Sequence, residues 1–171
     1  RLARETGAAV VVSTFVNPLQ FGPSEDLAKY PRTPSSDVLF AEKESVDVLF
    51  VPSVEEMYPR GFSTHLQEEV ISKHLCGIAR PALFRGMLTC WLKLFNIVRP
   101  DTVVMGERDA QQIAVVRKAT ADLLLPIEIL TGPTVRDVDG LVVSARNSYL
   151  TPTQREEAQA VHAALRRAKE M

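Results

Sequence analysis

The stretch FRGMLTCWLKLFNIVRPDTVVMGERDAQQIAVVRKATADLLL, from Phe84 to Leu125, decides the fold of this chain. Met87–Val98 is apolar almost all round, which predicts a helix buried on most sides. Arg99-Pro100-Asp101 ends that helix, and Thr102–Met105 predicts a buried strand. The glycine-containing loop Gly106–Gln112 then leads into a second helix. This alternation of helices and strands is typical of an α/β protein.

Two details of this stretch carry further predictions. The polar residues of the first helix are spaced i, i+4, i+7, so we expect one narrow stripe facing solvent, a ligand or another subunit. They are Thr89, Lys93 and Asn96. Asp109 stands at the start of the second helix and is predicted to cap it. Gln112, three residues on, is predicted to reach back as in a capping box.

Three other runs predict strands that would lie beside Thr102–Met105. Ala8–Phe15 is continuous, apolar and β-branched, which is typical of a strand buried on both faces of a parallel sheet. Val46–Val51 and Pro126–Leu130 are predicted to be the second and fourth strands in chain order. Helical segments separate the strands, so the sequence predicts an open, mostly parallel sheet.

The segments between these strands are less regular. Ser24–Tyr30 is predicted to be a short helix with acidic residues in its first turn. A longer helix is predicted from about Ser35, with its apolar side chains turned inward. Those side chains are Val38, Leu39 and Phe40. Ser63–Val70 is ambiguous, and an edge strand is one interpretation.

The first residues resemble the tail of a helix that ends at Gly7, and a strand follows at once. A domain seldom starts halfway along such a helix. We therefore expect these 171 residues to be part of a longer polypeptide.

A change of pattern after Gly132-Pro133 indicates a second lobe. Asp139-Gly140 lies between two short β-rich runs, which predicts a hairpin. Thr151 then begins a helix with Pro152 at its first position and Gln154 placed for a capping box. We predict a first domain at 1–133 and the start of a second at 134–171.

Composition excludes several classes of protein. A net charge of −1 gives no support for a nucleic-acid-binding surface. No apolar run is long enough to span a membrane. The two cysteines do not suggest a disulfide framework, and Cys90 is predicted to be a buried free thiol. The three histidines are scattered, which argues against a zinc site, and no metal ligands are predicted.

Polar groups follow three of the predicted strands, where ligands bind in open α/β sheets. They are Asn17 with Gln20, then Gly106-Glu107-Arg108-Asp109 with Gln112, then Ser144-Ala145-Arg146-Asn147. A glycine loop before a helix can hold phosphate oxygens, and arginines suit a triphosphate. The alternative is structural: Gln112 caps its helix, Arg108 pairs with a surface acid and Ser144 ends a strand.

At these residues the sequence resembles the pantothenate synthetase (pantoate–β-alanine ligase) family. The segments that carry the resemblance are VVSTFVNPLQF, DLAKYPRT, RP-x-x-FRG, KLFNIVRPD, MGERDAQQ, DGLVVSARNSYL and T-x-x-QR. The resemblance implies a Rossmann-like, nucleotidyltransferase-type sheet that lacks its first strand here. It also implies an enzyme that uses ATP and Mg²⁺ to form a pantoyl-adenylate, from which the amine of β-alanine displaces AMP.

The resemblance implies roles for particular residues. Pantoate and β-alanine would be bound by Asn17, Gln20 and Gln112. The nucleotide would be bound by Gly106, Glu107, Arg108, Asp109, Val135, Val143, Ser144, Ala145 and Arg146. The catalytic residues among these would be Arg108, Ser144 and Arg146. The family further implies a cytoplasmic homodimer, with an organelle or a larger assembly as alternatives.

Several family positions differ in this chain. The family's H-x-G-H motif would lie upstream of Arg1 and is absent from these residues. Leu83 stands where the family has histidine, Arg108 where it has lysine, and Ala145 where it has serine. Two hypotheses follow: an ATP-dependent ligase, or a non-catalytic subunit with a structural or interaction role. A nucleotide-binding regulator is a third, and the 171 residues alone are expected to be inactive.

Overall fold

Four short strands form the sheet structure of the computed structural model, which describes residues 1–171. Strand β1 (Val11–Ser13) pairs in parallel with β2 (Val48–Phe50), and β3 (Thr102–Gly106) pairs in parallel with β4 (Glu128–Gly132). The predicted α/β fold with parallel strands is therefore confirmed. The four strands form two separate hydrogen-bonded pairs within this chain, rather than one continuous sheet.

The seven α-helices alternate with these strands. They are α1 (Leu2–Glu5), α2 (Pro34–Lys43), α3 (Val54–Met57), α4 (Cys76–Ala79), α5 (Leu83–Val98), α6 (Ala110–Asp122) and α7 (Pro152–Glu170). Four 3₁₀ turns accompany them: Pro18–Gln20, Ile71–Lys73, Glu107–Asp109 and Ala145–Tyr149. None of the helices has the length and apolar character needed to cross a membrane.

Helix α5 joins the two strand pairs into one core. Five of its side chains belong to the main cluster, which also includes Met105 of β3, Ile113 of α6 and Ile129 of β4. They are Leu83, Phe84, Met87, Leu88 and Phe95. Two further residues of α5, Cys90 and Leu94, form a second cluster with Met57. The prediction of a helix buried on most sides is confirmed, as is the buried free thiol of Cys90.

The predicted polar stripe of α5 is wrong at Thr89, which is buried. Its hydroxyl accepts a hydrogen bond from the backbone N–H of Leu66 at 3.1 Å and donates to the carbonyl of Arg85 at 2.7 Å. Asn96, at the far end of the stripe, is exposed as expected. Thr89 can be buried because both of these bonds satisfy its hydroxyl.

Several predictions in the first half of the chain are wrong. Residues 24–30 form turns rather than a helix, because Glu25 and Asp26 use their carboxylates in long-range ion pairs. Phe40 of α2 is 65% exposed, since no other element packs on that face of the helix. Residues 63–68 form no strand. Strand β1 is not buried on both faces, because Val11 is exposed.

The segment predicted to begin a second lobe follows its predicted local structure. Asp137 N–H donates to the carbonyl of Leu141 at 2.8 Å, and Gly140 takes a φ of +84° at the turn of the hairpin. The capping box is present, because Gln154 N–H donates to Thr151 Oγ1 and Thr151 N–H to Gln154 Oε1. Arg155 of α7 then holds the hairpin through ion pairs with two of its aspartates, Asp137 and Asp139.

One buried carboxylate outside the site organises the loop before α4. Glu68 is 8% exposed and accepts hydrogen bonds from the backbone N–H groups of Val70 at 2.9 Å and Ser72 at 2.7 Å. Burial alone would raise the pKa of Glu68, but the backbone donors outweigh it and the pKa is lowered.

Replacing this carboxylate should destabilise the protein in a pH-dependent way. A group with a lowered folded pKa contributes stability above its unfolded pKa of about 4.3, and the contribution is lost as the pH falls through the folded value. We expect Glu68→Gln to lower the free energy of unfolding by about 1–2 kcal/mol at neutral pH and by less in acid. Urea unfolding at several pH values measures this.

The adjacent substitution Glu69→Gln is the matched control. Glu69 is exposed and pairs only with Lys73 on the surface, so its loss should be nearly neutral. Equal effects of the two substitutions would contradict the role given to Glu68.

Candidate active site

The loop after β1 is fixed by the side chain of Asn17, which is 3% exposed. Its Oδ1 accepts hydrogen bonds from Leu19 N–H at 3.1 Å and from the hydroxyl of Tyr58 at 2.9 Å. Its Nδ2 donates to the carbonyl of Gly86 on α5 at 3.0 Å. Asn17 thus starts the 3₁₀ turn that carries Gln20, the second predicted substrate-binding residue of this loop.

The same turn lies in direct contact with α5 at Gly86. A Cβ atom at this position would stand 2.0 Å from the carbonyl oxygen of Leu19 and 2.3 Å from its carbonyl carbon. Only glycine permits this approach of backbone to backbone. Gly86 therefore fixes how far the loop at the end of β1 stands from the central helix.

The carboxyl ends of β3 and β4 form a second part of the site. Gly106 is in register with Gly132, and a Cβ on Gly106 would meet no other atom within 4 Å. The residues that follow, Glu107, Arg108 and Asp109, are exposed. Arg108 reaches the hairpin segment, where its Nη1 donates to the carbonyl of Val143 at 3.4 Å. The end of β3 is therefore open, with an arginine beside it that has no carboxylate partner.

The geometry of Gln112 bears on its two predicted roles, which are substrate binding and helix capping. Its Nε2 donates to Asp109 Oδ1 at 3.0 Å, so the pair is side chain to side chain. Asp109 makes no side-chain cap bond to α6, and the predicted capping box is wrong. Asp109 and Gln112 have the three-residue separation of a capping box. The 3₁₀ turn Glu107–Asp109, however, places the Asp109 carboxylate away from the first free N–H groups of α6.

The second-lobe candidates lie on the hairpin and the 3₁₀ turn after it. Val143 N–H donates to the carbonyl of Val135 at 3.1 Å, and both side chains are exposed. Ser144 Oγ accepts a bond from Arg146 N–H at 3.3 Å, so it caps the turn. Ala145 is exposed. The guanidinium of Arg146 is bound to Asp26, 120 residues earlier in the chain, at 2.9 and 3.0 Å.

Sequence reasoning missed two residues that hold these loops, Tyr58 and Arg80. Tyr58 bonds to Asn17, and its burial raises the pKa of the phenol. Arg80 donates from Nε to Glu25 Oε1 at 2.8 Å and from Nη2 to the carbonyl of Gln20 at 3.1 Å. The guanidinium of Arg80 lowers the pKa of Glu25. The guanidinium of Arg146 lowers the pKa of Asp26 in the same way. Arg80 lies in the RP-x-x-FRG segment, but no local signal identifies its partner.

The structure also locates two of the positions where this chain departs from the family pattern. Leu83 is 5% exposed and belongs to the main core cluster. Ala145 is exposed at the start of its turn. Neither side chain fills the opening at the end of β3.

The side chains offer no ready-made metal site. No group of three or more His, Cys, Asp or Glu residues is arranged to hold an ion. Mg²⁺ commonly binds through one or two carboxylates together with substrate phosphates. Asp109, exposed beside Gly106, is a carboxylate suited to that arrangement.

Comparisons with known proteins agree on one family. The family model described as Pantoate-beta-alanine ligase matches residues 1–171. The pantothenate synthetase of Heliobacterium modesticaldum is 52% identical over 171 residues, which is 100% of this chain and 61% of that protein. That of Moorella thermoacetica is 51% identical over 165 residues, or 96% of this chain and 58% of that protein. The chain thus spans about three fifths of the length of these relatives.

Solved structures give the same result. The pantothenate synthetase from Thermus thermophilus superposes with a TM-score of 0.94 at 45% identity, covering 96% of this chain and 60% of that one. The pantoate-beta-alanine ligase from Francisella tularensis, complexed with beta-gamma ATP and beta-alanine, superposes with a TM-score of 0.91 at 37% identity. It covers 96% of this chain and 64% of that one, and the nucleotidyltransferase-type fold is confirmed.

The close contact at Gly86 generates a stability prediction. In an isolated helix, Gly→Ala gains about 1 kcal/mol, but here the new methyl would meet the backbone of Leu19. Overpacking of this kind costs about 1–3 kcal/mol and backbone atoms cannot rotate away. We expect Gly86→Ala to lower the free energy of unfolding in urea and to displace the Asn17–Gln20 turn.

Gly22→Ala is the control for this substitution. The nearest atom to a Cβ at Gly22 is Glu25 Oε1 at 3.4 Å, an ordinary van der Waals contact, so little change is expected. If Gly86→Ala were as stable as the unaltered protein, the contact would not constrain the loop.

Proposed function

We propose, because this chain belongs to the pantoate-beta-alanine ligase family, that the protein containing it condenses pantoate with β-alanine at the expense of ATP. The observation that carries the proposal is the contact between Arg108 and the carbonyl of Val143. It brings the open end of β3 against the hairpin segment that leads into Ser144 and Arg146. We infer that Arg108, Arg146 and Ser144 would flank a bound polyphosphate, because guanidinium groups suit phosphate oxygens.

The proposed nucleotide site lies between the two lobes, which we divide at 133/134. Gly106 leaves space for the nucleotide, since no atom lies within 4 Å of the place where its Cβ would be. The exposed backbone of Glu107–Asp109 offers N–H donors at the start of α6. Val135, Val143, Ser144, Ala145 and Arg146 would enclose the nucleotide from the other side.

The proposed reaction has two steps. A carboxylate oxygen of pantoate attacks the α-phosphorus of ATP, and the bond to pyrophosphate breaks. The amine of β-alanine then attacks the acyl carbon of the adenylate, and AMP leaves with the electron pair of the broken C–O bond. Charge gathers on phosphoryl oxygens in the first step, where Arg108 and Arg146 would stabilise it.

Mg²⁺, when bound with the triphosphate, would neutralise part of the charge on its oxygens. Asp109 is the residue of this chain that we propose to hold it, beside the open Gly106. No cluster of protein ligands is required, because Mg²⁺ in such sites is bound through one or two carboxylates and substrate phosphates and keeps several waters.

The proposed pantoate site lies at the loop after β1 and at Gln112. The amide of Asn17 has three of its four hydrogen-bonding positions filled by protein, so one N–H is left for a substrate. Gln20 makes no hydrogen bond from its side chain and is partly exposed. We propose that Gln20 is the main contact of this loop with pantoate, and that Asn17 holds the loop in place.

The alternative is a subunit that has lost catalysis while keeping the fold. The family substitutions at Leu83 and Ala145 motivate it. Leu83 packs in the core and Ala145 is exposed, so neither blocks the proposed nucleotide site. The catalytic hypothesis is the one that this packing favours.

Pantoate-dependent exchange of pyrophosphate into ATP tests the proposal in the full-length protein. We expect robust exchange, and a loss of about 10²-fold or more in Arg108→Met, since a preorganised charge on the phosphoryl group is removed. Arg60→Met is the control, because Arg60 is exposed in a turn and has no ion pair. Binding of ATP without any exchange would instead identify a nucleotide-binding regulator, and absence of both would refute the proposal.

A further inference from the structure

The segment Gly22–Tyr30, here called the acidic segment, connects the two lobes. It has little internal structure: Glu25 N–H donates to the carbonyl of Gly22 at 3.1 Å, and Lys29 N–H to that of Asp26 at 2.9 Å. Consecutive acids attach it at two places. Glu25 pairs with Arg80 of the first lobe, and Asp26 pairs with Arg146 of the second.

The pair between Asp26 and Arg146 has the geometry that an arginine uses for an anion. Nε lies 2.9 Å from Oδ2 and Nη2 lies 3.0 Å from Oδ1, so two parallel bonds join the groups. The same edge of a guanidinium binds a phosphate in the same bidentate way. An anion that approached this edge of Arg146 would meet the carboxylate of Asp26 already in place.

Neighbouring side chains favour this bound position of Arg146. Its Cζ lies 4.8 Å from the centre of the Tyr30 ring and 6.0 Å from that of Phe21, both within range of a cation–π contact. The hydroxyl of Tyr149 lies 3.2 Å from Asp26 Oδ2 and 3.0 Å from the carbonyl oxygen of Lys29. Arg146 is thus held by several contacts to one segment, whereas Arg108 has a single contact at 3.4 Å.

The pair is also open enough to be broken. The side chains of Arg146 and Asp26 are 43% and 27% exposed, and partly solvated ion pairs of this kind are weak. The Glu25–Arg80 pair does not involve Arg146, so the acidic segment can leave the second lobe while it stays attached to the first.

We propose that Asp26 is an internal competitor for the anion-binding edge of Arg146, and that a polyphosphate must displace the acidic segment to bind there. This inference rests on the proposed function only in taking Arg146 to be a phosphate-binding residue. In the resting protein the Asp26–Arg146 ion pair then holds the second lobe to the acidic segment, and we call this ion pair the latch. A polyphosphate releases the latch, because a phosphoryl group takes the place of the Asp26 carboxylate at Arg146.

The test is the affinity of the full-length protein for inorganic tripolyphosphate, measured by calorimetry at fixed ionic strength. Asp26→Asn removes the competing charge and should tighten binding about 3- to 10-fold. Asp37→Asn makes the same chemical change on exposed α2, and no change beyond the general effect of one charge is expected. Unchanged or weaker binding by Asp26→Asn, relative to this control, would overturn the proposal.

A double substitution separates competition from a general effect on structure. In an Arg146→Gln background the benefit of Asp26→Asn should disappear, because there is no guanidinium to release. A benefit that persists without Arg146 would overturn the inference. Tyr149→Phe, which removes the hydroxyl near Asp26, should tighten binding in the same direction but less, and thermal unfolding verifies that each variant is folded.

The two proposals can fail independently. Pyrophosphate exchange together with unchanged tripolyphosphate affinity in Asp26→Asn would leave the ligase proposal standing and refute the latch. Tighter binding in Asp26→Asn without any exchange in the unaltered protein would support the latch and refute the ligase. No measurable binding by any variant would refute the latch.

Discussion

The contact between the carbonyl of Leu19 and the bare backbone of Gly86 constrains the rest of the structure. It sets the loop after β1 directly on α5, and the amide of Asn17 reinforces it by donating to the Gly86 carbonyl at 3.0 Å. Because α5 also contributes to both core clusters, the same helix positions β3 and β4. The two strand pairs therefore share one reference element, the helix α5.

Much of the fold follows from local patterns in the sequence. The apolar run of α5, the β-rich segments and the Asp139-Gly140 hairpin turn each depend on neighbours in the chain, so they could be predicted. The capping box at Thr151 is equally local. The strand-end positions of Asn17, Arg108 and the other site candidates follow from the parallel α/β topology, whereas their roles rest on the family resemblance.

The errors arise where tertiary contacts override local preference. Glu25 and Asp26 favour a helix start in isolation, but the arginines that bind them lie 55 and 120 residues away. Thr89 is polar, yet partners supplied by Leu66 and Arg85 allow it to be buried. The bond between Tyr58 and Asn17 spans 41 residues, and nothing near either residue indicates it. Pairs of residues this far apart in the chain can be identified only in the folded structure.

The adjacency of Glu25 and Asp26 has a consequence for where this segment can change in length. Neighbouring Cα atoms are about 3.8 Å apart, so one peptide unit separates the residue that binds Arg80 from the residue that binds Arg146. Insertions are tolerated in most surface loops. Between these two acids, an added residue would change the separation at which both ion pairs can form, so an insertion in this chain would disturb the two pairs less on either side of the acids than between them.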